Sequence, residues 1–168
     1  MRKKTEQKIS ESRNQNMRGK FSLYVLPLML LCSHLANGQH SENLSNAKKM
    51  KILVHITHGP ENPTRAALGF LVAKTVLDEG HSVTLFLAGD AVKLLQDSVL
   101  NSLVGAGTGK LRDHYDAIVK GNGKFYLSGN SARARNMTET DLSGKPAEFA
   151  MPNILVRLSV DSDRMFTY

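Results

Sequence analysis

Residues Lys51 to Leu68 read KILVHITHGPENPTRAAL, a strand, a polar loop and a helix start in direct succession. Lys51 to Thr57 is β-branched and apolar with few charges, as a parallel strand covered on both faces should be. His58 to Glu61 breaks it. Asn62 followed by Pro63 marks a helix start: the Asn side chain caps free backbone N–H groups, and Pro at the first helical position forfeits a donor that had no partner. A helix N-terminus therefore lies at the carboxyl end of a strand. Open α/β sheets bind ligands in the crevice beyond those ends, where helix N-termini offer N–H groups and partial positive charge. His58, Asn62, Thr64 and Arg65 are placed to line such a crevice.

Working outward, Thr64 to Glu79 carries Leu68, Leu71, Val72 and Val76 at the spacing of one helical face, with Gly80 as the stop. A second stripe, Phe70, Ala73 and Leu77, makes this helix apolar on more than one side. A helix buried by its sheet and by another subunit would look so, as would one packed tightly under a loop. His81 to Leu87 predicts a second strand and Ala91 to Leu103 one or two short helices. Leu111 to Asn122 predicts a helix with Tyr115, Ile118 and Val119 inward. Lys124 to Leu127 predicts a third strand, Ser131 to Asn136 a short helix, Ala147 to Met151 a fourth strand, Asn153 to Val160 a helix and Arg164 to Tyr168 a last strand. Strands alternating with helices specify an α/β fold with a single doubly wound parallel sheet of about five strands.

The run HGPENPTRA, with M-K-I-L before it and R-M-F-T-Y closing the chain, resembles the DsrE/DsrF-like family of small sulfur-relay-associated proteins. The resemblance covers roughly Met50 to Tyr168. It implies a flavodoxin-like arrangement of five strands and assembly into a homo-oligomer, a trimer or hexamer. Phe125 to Arg135, FYLSGNSARAR, resembles the family segment in which a strand meets a short helix with cysteine near the turn, and Ser128 and Ser131 stand where cysteine is expected. A thiolate at such a turn accepts sulfane sulfur as a persulfide. A serine hydroxyl forms no persulfide, so the resemblance carries over position and shape, not sulfur transfer.

Charge divides the chain. Of 22 Lys+Arg and 15 Asp+Glu, residues 1–49 hold nine basic and three acidic, a net of +6, leaving the remainder at +1. A pI near 9.6 suggests an anionic partner, but the excess is nearly all N-terminal. The domain shows no basic stripe with stacking aromatics, so no nucleic-acid partner is expected.

The N-terminal segment has basic residues up to Arg18 and Lys20, a 12-residue apolar run from Phe21 to Cys32, and the small-residue site Ala36, Asn37, Gly38. That is the order of a secretory signal peptide with a long basic n-region, residues 1–38; Met17 would give a more compact start. The run falls short of the ~20 residues that span a bilayer, so no stable membrane insertion is expected. Residues 39–49, polar and without periodicity, read as a linker to the domain 50–168. The expected location is exported, periplasmic or secreted; translation from Met50 would make the protein cytoplasmic. A lipoprotein signal needs a small residue before Cys32, where Leu31 stands. Cys32 is the only cysteine, and cleavage after Gly38 removes it with any prospect of disulfide, thiolate metal site or thiol catalysis.

Three chemical motifs fail on inspection. Gly105 to Lys110, GAGTGK, lacks the first Gly and the final Ser/Thr of a phosphate loop, where Val104 and Leu111 stand. Gly129 to Arg133, GNSAR, half-matches the nucleophile elbow, but a hydrolase of that fold needs His after the Ser and His114 is the last histidine; Ser131 reads as a helix cap. His55 and His58 are three apart on a strand and point to opposite faces, with no third ligand, so no metal site and no cofactor are expected. Arg65 opposes the helix dipole in the first turn; either it pairs with Glu61 or it clamps an anion at the crevice. Arg133 and Arg135 flank the serine turn, and one of them joining Arg65 would complete an anion site. No catalytic residue emerges. The leading expectation is a binding domain for a small anionic ligand or a protein partner. The alternatives are a sulfurtransferase-related protein acting through partners or a divergent site, and a pure assembly module.

Overall fold

In the computed structural model, residues 48–168 are described; the signal-peptide reading, Cys32 and nearly all of the linker lie outside them. The chain runs β1 (Lys51–Ile56), α1 (Pro63–Asp78), β2 (Ser82–Leu87), a 3-10 segment (Gly89–Leu95), α2 (Asp97–Ser102), β3 (Val104–Gly105), β4 (Gly109–Lys110) and α3 (Leu111–Lys120). It continues through β5 (Lys124–Ser128), α4 (Gly129–Arg133), a second 3-10 segment (Glu139–Leu142), β6 (Ala147–Ala150), α5 (Pro152–Asp161) and β7 (Arg164–Thr167).

The expected five-stranded parallel sheet flanked by helices is present, ordered β6-β5-β2-β1-β7, with every neighbouring pair parallel. Counted along the chain, the order is 4-3-2-1-5, where flavodoxin has 2-1-3-4-5. The reversal of winding thus falls after the fourth strand instead of the second. That fourth connection is α5, the one helix among the described residues that packs on the second face.

The faces differ in depth. Alternate residues Ile52, Val54 and Ile56 of β1 enter the main core with Val83, Leu85 and Leu87 of β2, Phe125 and Leu127 of β5, and the helices α1 and α3. The opposite face buries Leu53, Phe86 and Ala150, with Ile154, Leu155 and Leu158 of α5 packed on them.

On α1 burial cuts across the two stripes, with Val76 of the first buried and Leu77 of the second only half-buried. Ala66, Phe70, Ala73 and Val76 are buried, while Leu68, Leu71 and Val72 are half-buried. The helix approaches the sheet closely at Gly69, where a Cβ would stand 2.6 Å from Ile56 Cδ1. α1 also packs against α3 and the β3–β4 hairpin, while Val72 lines an open cleft with Val76 and Phe166. That hairpin is the GAGTGK stretch: Val104 pairs with Lys110 and Gly105 with Gly109. The helix after β5 starts at Gly129, earlier than expected, and its cap is Ser128, whose hydroxyl accepts from Ser131 N at 3.3 Å. Ser131 is not the cap.

Candidate functional site

The carboxyl ends of β1, β2 and β5 are adjacent in the sheet, and the loops that leave them meet. Ala91 N donates to Thr57 O at 3.3 Å, joining the β1 and β2 loops. Gly89 N donates to the Ser131 hydroxyl at 3.0 Å, joining the β2 loop to α4. Gly59 lies so close that a Cβ there would sit 2.2 Å from the carbonyl oxygen of Asp90.

Asp90 is the electrostatic centre of this junction. Its Oδ1 accepts from Arg135 Nε at 2.9 Å and lies 3.3 Å from Lys93 Nζ. Those two cations, Arg135 first, hold the carboxyl at about 2, below its ordinary 3.8. Arg135 also donates to Ser131 O at 3.2 Å and lies within the field of Glu61. Its charge is therefore met from two sides, and its pKa is raised chiefly by the hydrogen bond to Asp90.

Arg65 is in a different state. Its Nη1 lies 3.3 Å from His58 Nε2. Because arginine only donates, His58 Nε2 is the acceptor and the ring proton belongs on Nδ1. Nδ1 is 3.4 Å from the Thr57 hydroxyl, which donates onward to the main-chain oxygen of Tyr168 at 3.0 Å. Glu61 does not pair with Arg65; its Oε1 accepts from Gly59 N at 2.8 Å and tightens the loop. Among the described residues no carboxylate forms an ion pair with Arg65.

The other candidates have structural duties. Asn62 Oδ1 caps α1 by accepting from Arg65 N at 3.2 Å. The Thr64 hydroxyl accepts from Ala106 N at 3.1 Å and anchors the hairpin to the helix start. Arg133 is exposed and borders a cleft with Gly129, Ala132, Met137 and Phe149, away from Asp90. Of the two arginines that flank the serine turn, Arg135 reaches the junction. Asp90 and Lys93 carried no sequence signal beyond their place just after a strand end.

His55 lies on the far face of the sheet, edge-on to Phe86 at 6.0 Å between ring centres. Its Nε2 is buried without a hydrogen-bond partner, and burial lowers its pKa. His58 sits in the loop beyond the strand, and among the described residues no cluster of three or more metal-ligating side chains occurs.

The molecule is thus a small α/β protein with a five-stranded parallel sheet whose strand-end loops converge. The family model described as "DsrE/DsrF-like family" matches residues 50–168, and the chain belongs to that family. Among solved structures it resembles the ychN protein from E. coli, at 15% identity and a TM-score of 0.56, covering 71% of this chain and 99% of that one. It also aligns with a conserved protein of unknown function from Bacteroides thetaiotaomicron at 10% identity and a TM-score of 0.48, covering 70% and 94%. No curated protein matches the sequence.

Proposed function

We propose that this is an exported, oligomeric member of the family that holds a small anionic ligand non-covalently in the strand-end crevice. Arg65 carries the reading. Histidine positions it and, among the described residues, no carboxylate pairs with it, so one of its five N–H donors is engaged and the rest remain for a ligand.

Two further features support binding without covalent sulfur chemistry. Residues 48–168 contain no cysteine, and the serines at the β5–α4 turn are committed to other work, Ser128 as cap and Ser131 as acceptor from Gly89 N. An alcohol also ionises far too weakly to replace a thiolate. Export is supported by the order of basic, apolar and small-residue segments in residues 1–38, and oligomer formation by the apolar side chains left exposed on α5.

Native mass spectrometry of the protein purified from its source tests the whole reading. The expected spectrum shows a chain beginning after Gly38, several subunits, and a bound anion that is lost on denaturation. A chain beginning at Met50, or a covalent sulfur adduct within residues 50–168, overturns it.

A further inference from the structure

β7 lies at the edge of the sheet, flanked by α1 on the main-core side. Between them is a cleft of about 300 Å³. Its walls are apolar: Ile52 and Phe166 come from the sheet, Val72 and Val76 from α1. Ile52 and Val76 are buried and Val72 is half-buried, while Phe166 is 43% exposed and marks the open side. Small-molecule sites begin at about this volume, with a few polar groups set in an apolar lining.

Two charged side chains, Glu79 and Arg164, also line the cleft. Val72, Val76 and Glu79 recur at the spacing of one side of α1, and Arg164 and Phe166 are alternate residues on one face of β7. Arg164 pairs in register with Ile52 near the start of β1. α1 ends at Asp78, just before β2 starts at Ser82, so its carboxyl end lies at the same edge of the sheet. Both charges therefore stand at one end of the cleft. Among the described residues neither forms an ion pair. Arg164 Nη1 donates to Asp163 O at 2.7 Å, which leaves its other N–H groups. Glu79 stands at the carboxyl end of α1, where the helix dipole adds to its attraction for a cation.

We propose that this cleft binds a free α-amino acid with an apolar side chain. Its carboxylate pairs with Arg164, its ammonium group with Glu79 and the end of α1, and its side chain packs on Val72, Val76, Ile52 and Phe166. The two charges select this ligand over other apolar molecules. A hydrocarbon leaves both unanswered, an apolar carboxylate meets Glu79 as a like charge, and an apolar amine meets Arg164 in the same way. The cleft stands independently of the proposed anion site, because Arg65 is at the other end of α1, about 20 Å away along the helix.

Calorimetric titration of the purified full chain with leucine and phenylalanine tests this. Isocaproate and isoamylamine serve as analogues of leucine that lack its amino group and its carboxylate. At least one of the two amino acids should bind saturably, and each analogue about tenfold or more weakly than leucine. Arg164→Ala and Glu79→Ala should each weaken amino-acid binding about tenfold, and Arg65→Ala should leave it unchanged. Both altered residues are exposed, so folding should persist, as circular dichroism would verify. No saturable binding of either amino acid overturns the proposal. Equal affinity for either analogue overturns the zwitterionic ligand, and binding undiminished by both variants, or lost with Arg65→Ala, overturns the assignment to this cleft.

Discussion

Asp90 links three stretches of chain that are distant in sequence, and its charge is what links them. Its folded pKa, about 2, lies below the ordinary 3.8 because Arg135 and Lys93 favour the carboxylate. The ionised form is therefore the one that stabilises the fold. That contribution is complete above about pH 4 and is lost as pH falls toward 2. Thermal melts between pH 2 and 5 should show a steeper acid decline for wild type than for Asp90→Asn. His55 acts at higher pH in the same direction. Burial lowers its pKa, so the unfolded chain binds the extra proton, and stability should fall as pH drops through about 6.5. Urea midpoints of His55→Leu should lose that part of the pH dependence. Gly59 is a steric case, since a methyl group would meet the carbonyl of Asp90 at 2.2 Å. Gly59→Ala should cost about 1–3 kcal/mol by denaturant titration, because backbone yields less readily than a side chain.

Among the elements, α1 shows most plainly what sequence reveals. Asn62 and Pro63 announce its start, and the structure caps it with the Asn62 side chain. Asn62→Ala should therefore destabilise by about 1 kcal/mol, measurable by denaturant titration. Which stripe of α1 faces the sheet was not legible, because periodicity locates apolar faces without ranking them. The β3–β4 hairpin was illegible for another reason: strands of two residues have no period, and its hold on Thr64 is a contact over 42 residues. At the β5–α4 turn, Gly129 belongs to the first helical position, so the cap moved back to Ser128. Arg135, two residues beyond α4, reaches Asp90, while Arg133 at the helix end stays exposed.

At the scale of the whole domain, the parallel sheet followed from the alternation of strand and helix patterns, whereas the strand order depended on where a crossover returns. No local pattern in α5 marks it as the element that carries the chain across the sheet to β7. The same crossover leaves one face with a single helix. Charge at this scale is nearly balanced, with a net of +1 outside residues 1–49, so the proposed anion site rests on local charge rather than on the domain's overall field. Within the strand-end junction, Arg135 and Lys93 are answered by Asp90, and among the described residues Arg65 has no carboxylate partner, which leaves it for the proposed ligand. The direct test is calorimetric titration of the purified chain with sulfite, thiosulfate and inorganic phosphate, each repeated on Arg65→Ala. At least one anion should bind saturably to wild type, more weakly as ionic strength rises, and about tenfold or more weakly to the variant. No saturable binding of any of the three anions, or equal affinity in Arg65→Ala, would contradict an anion site at this crevice.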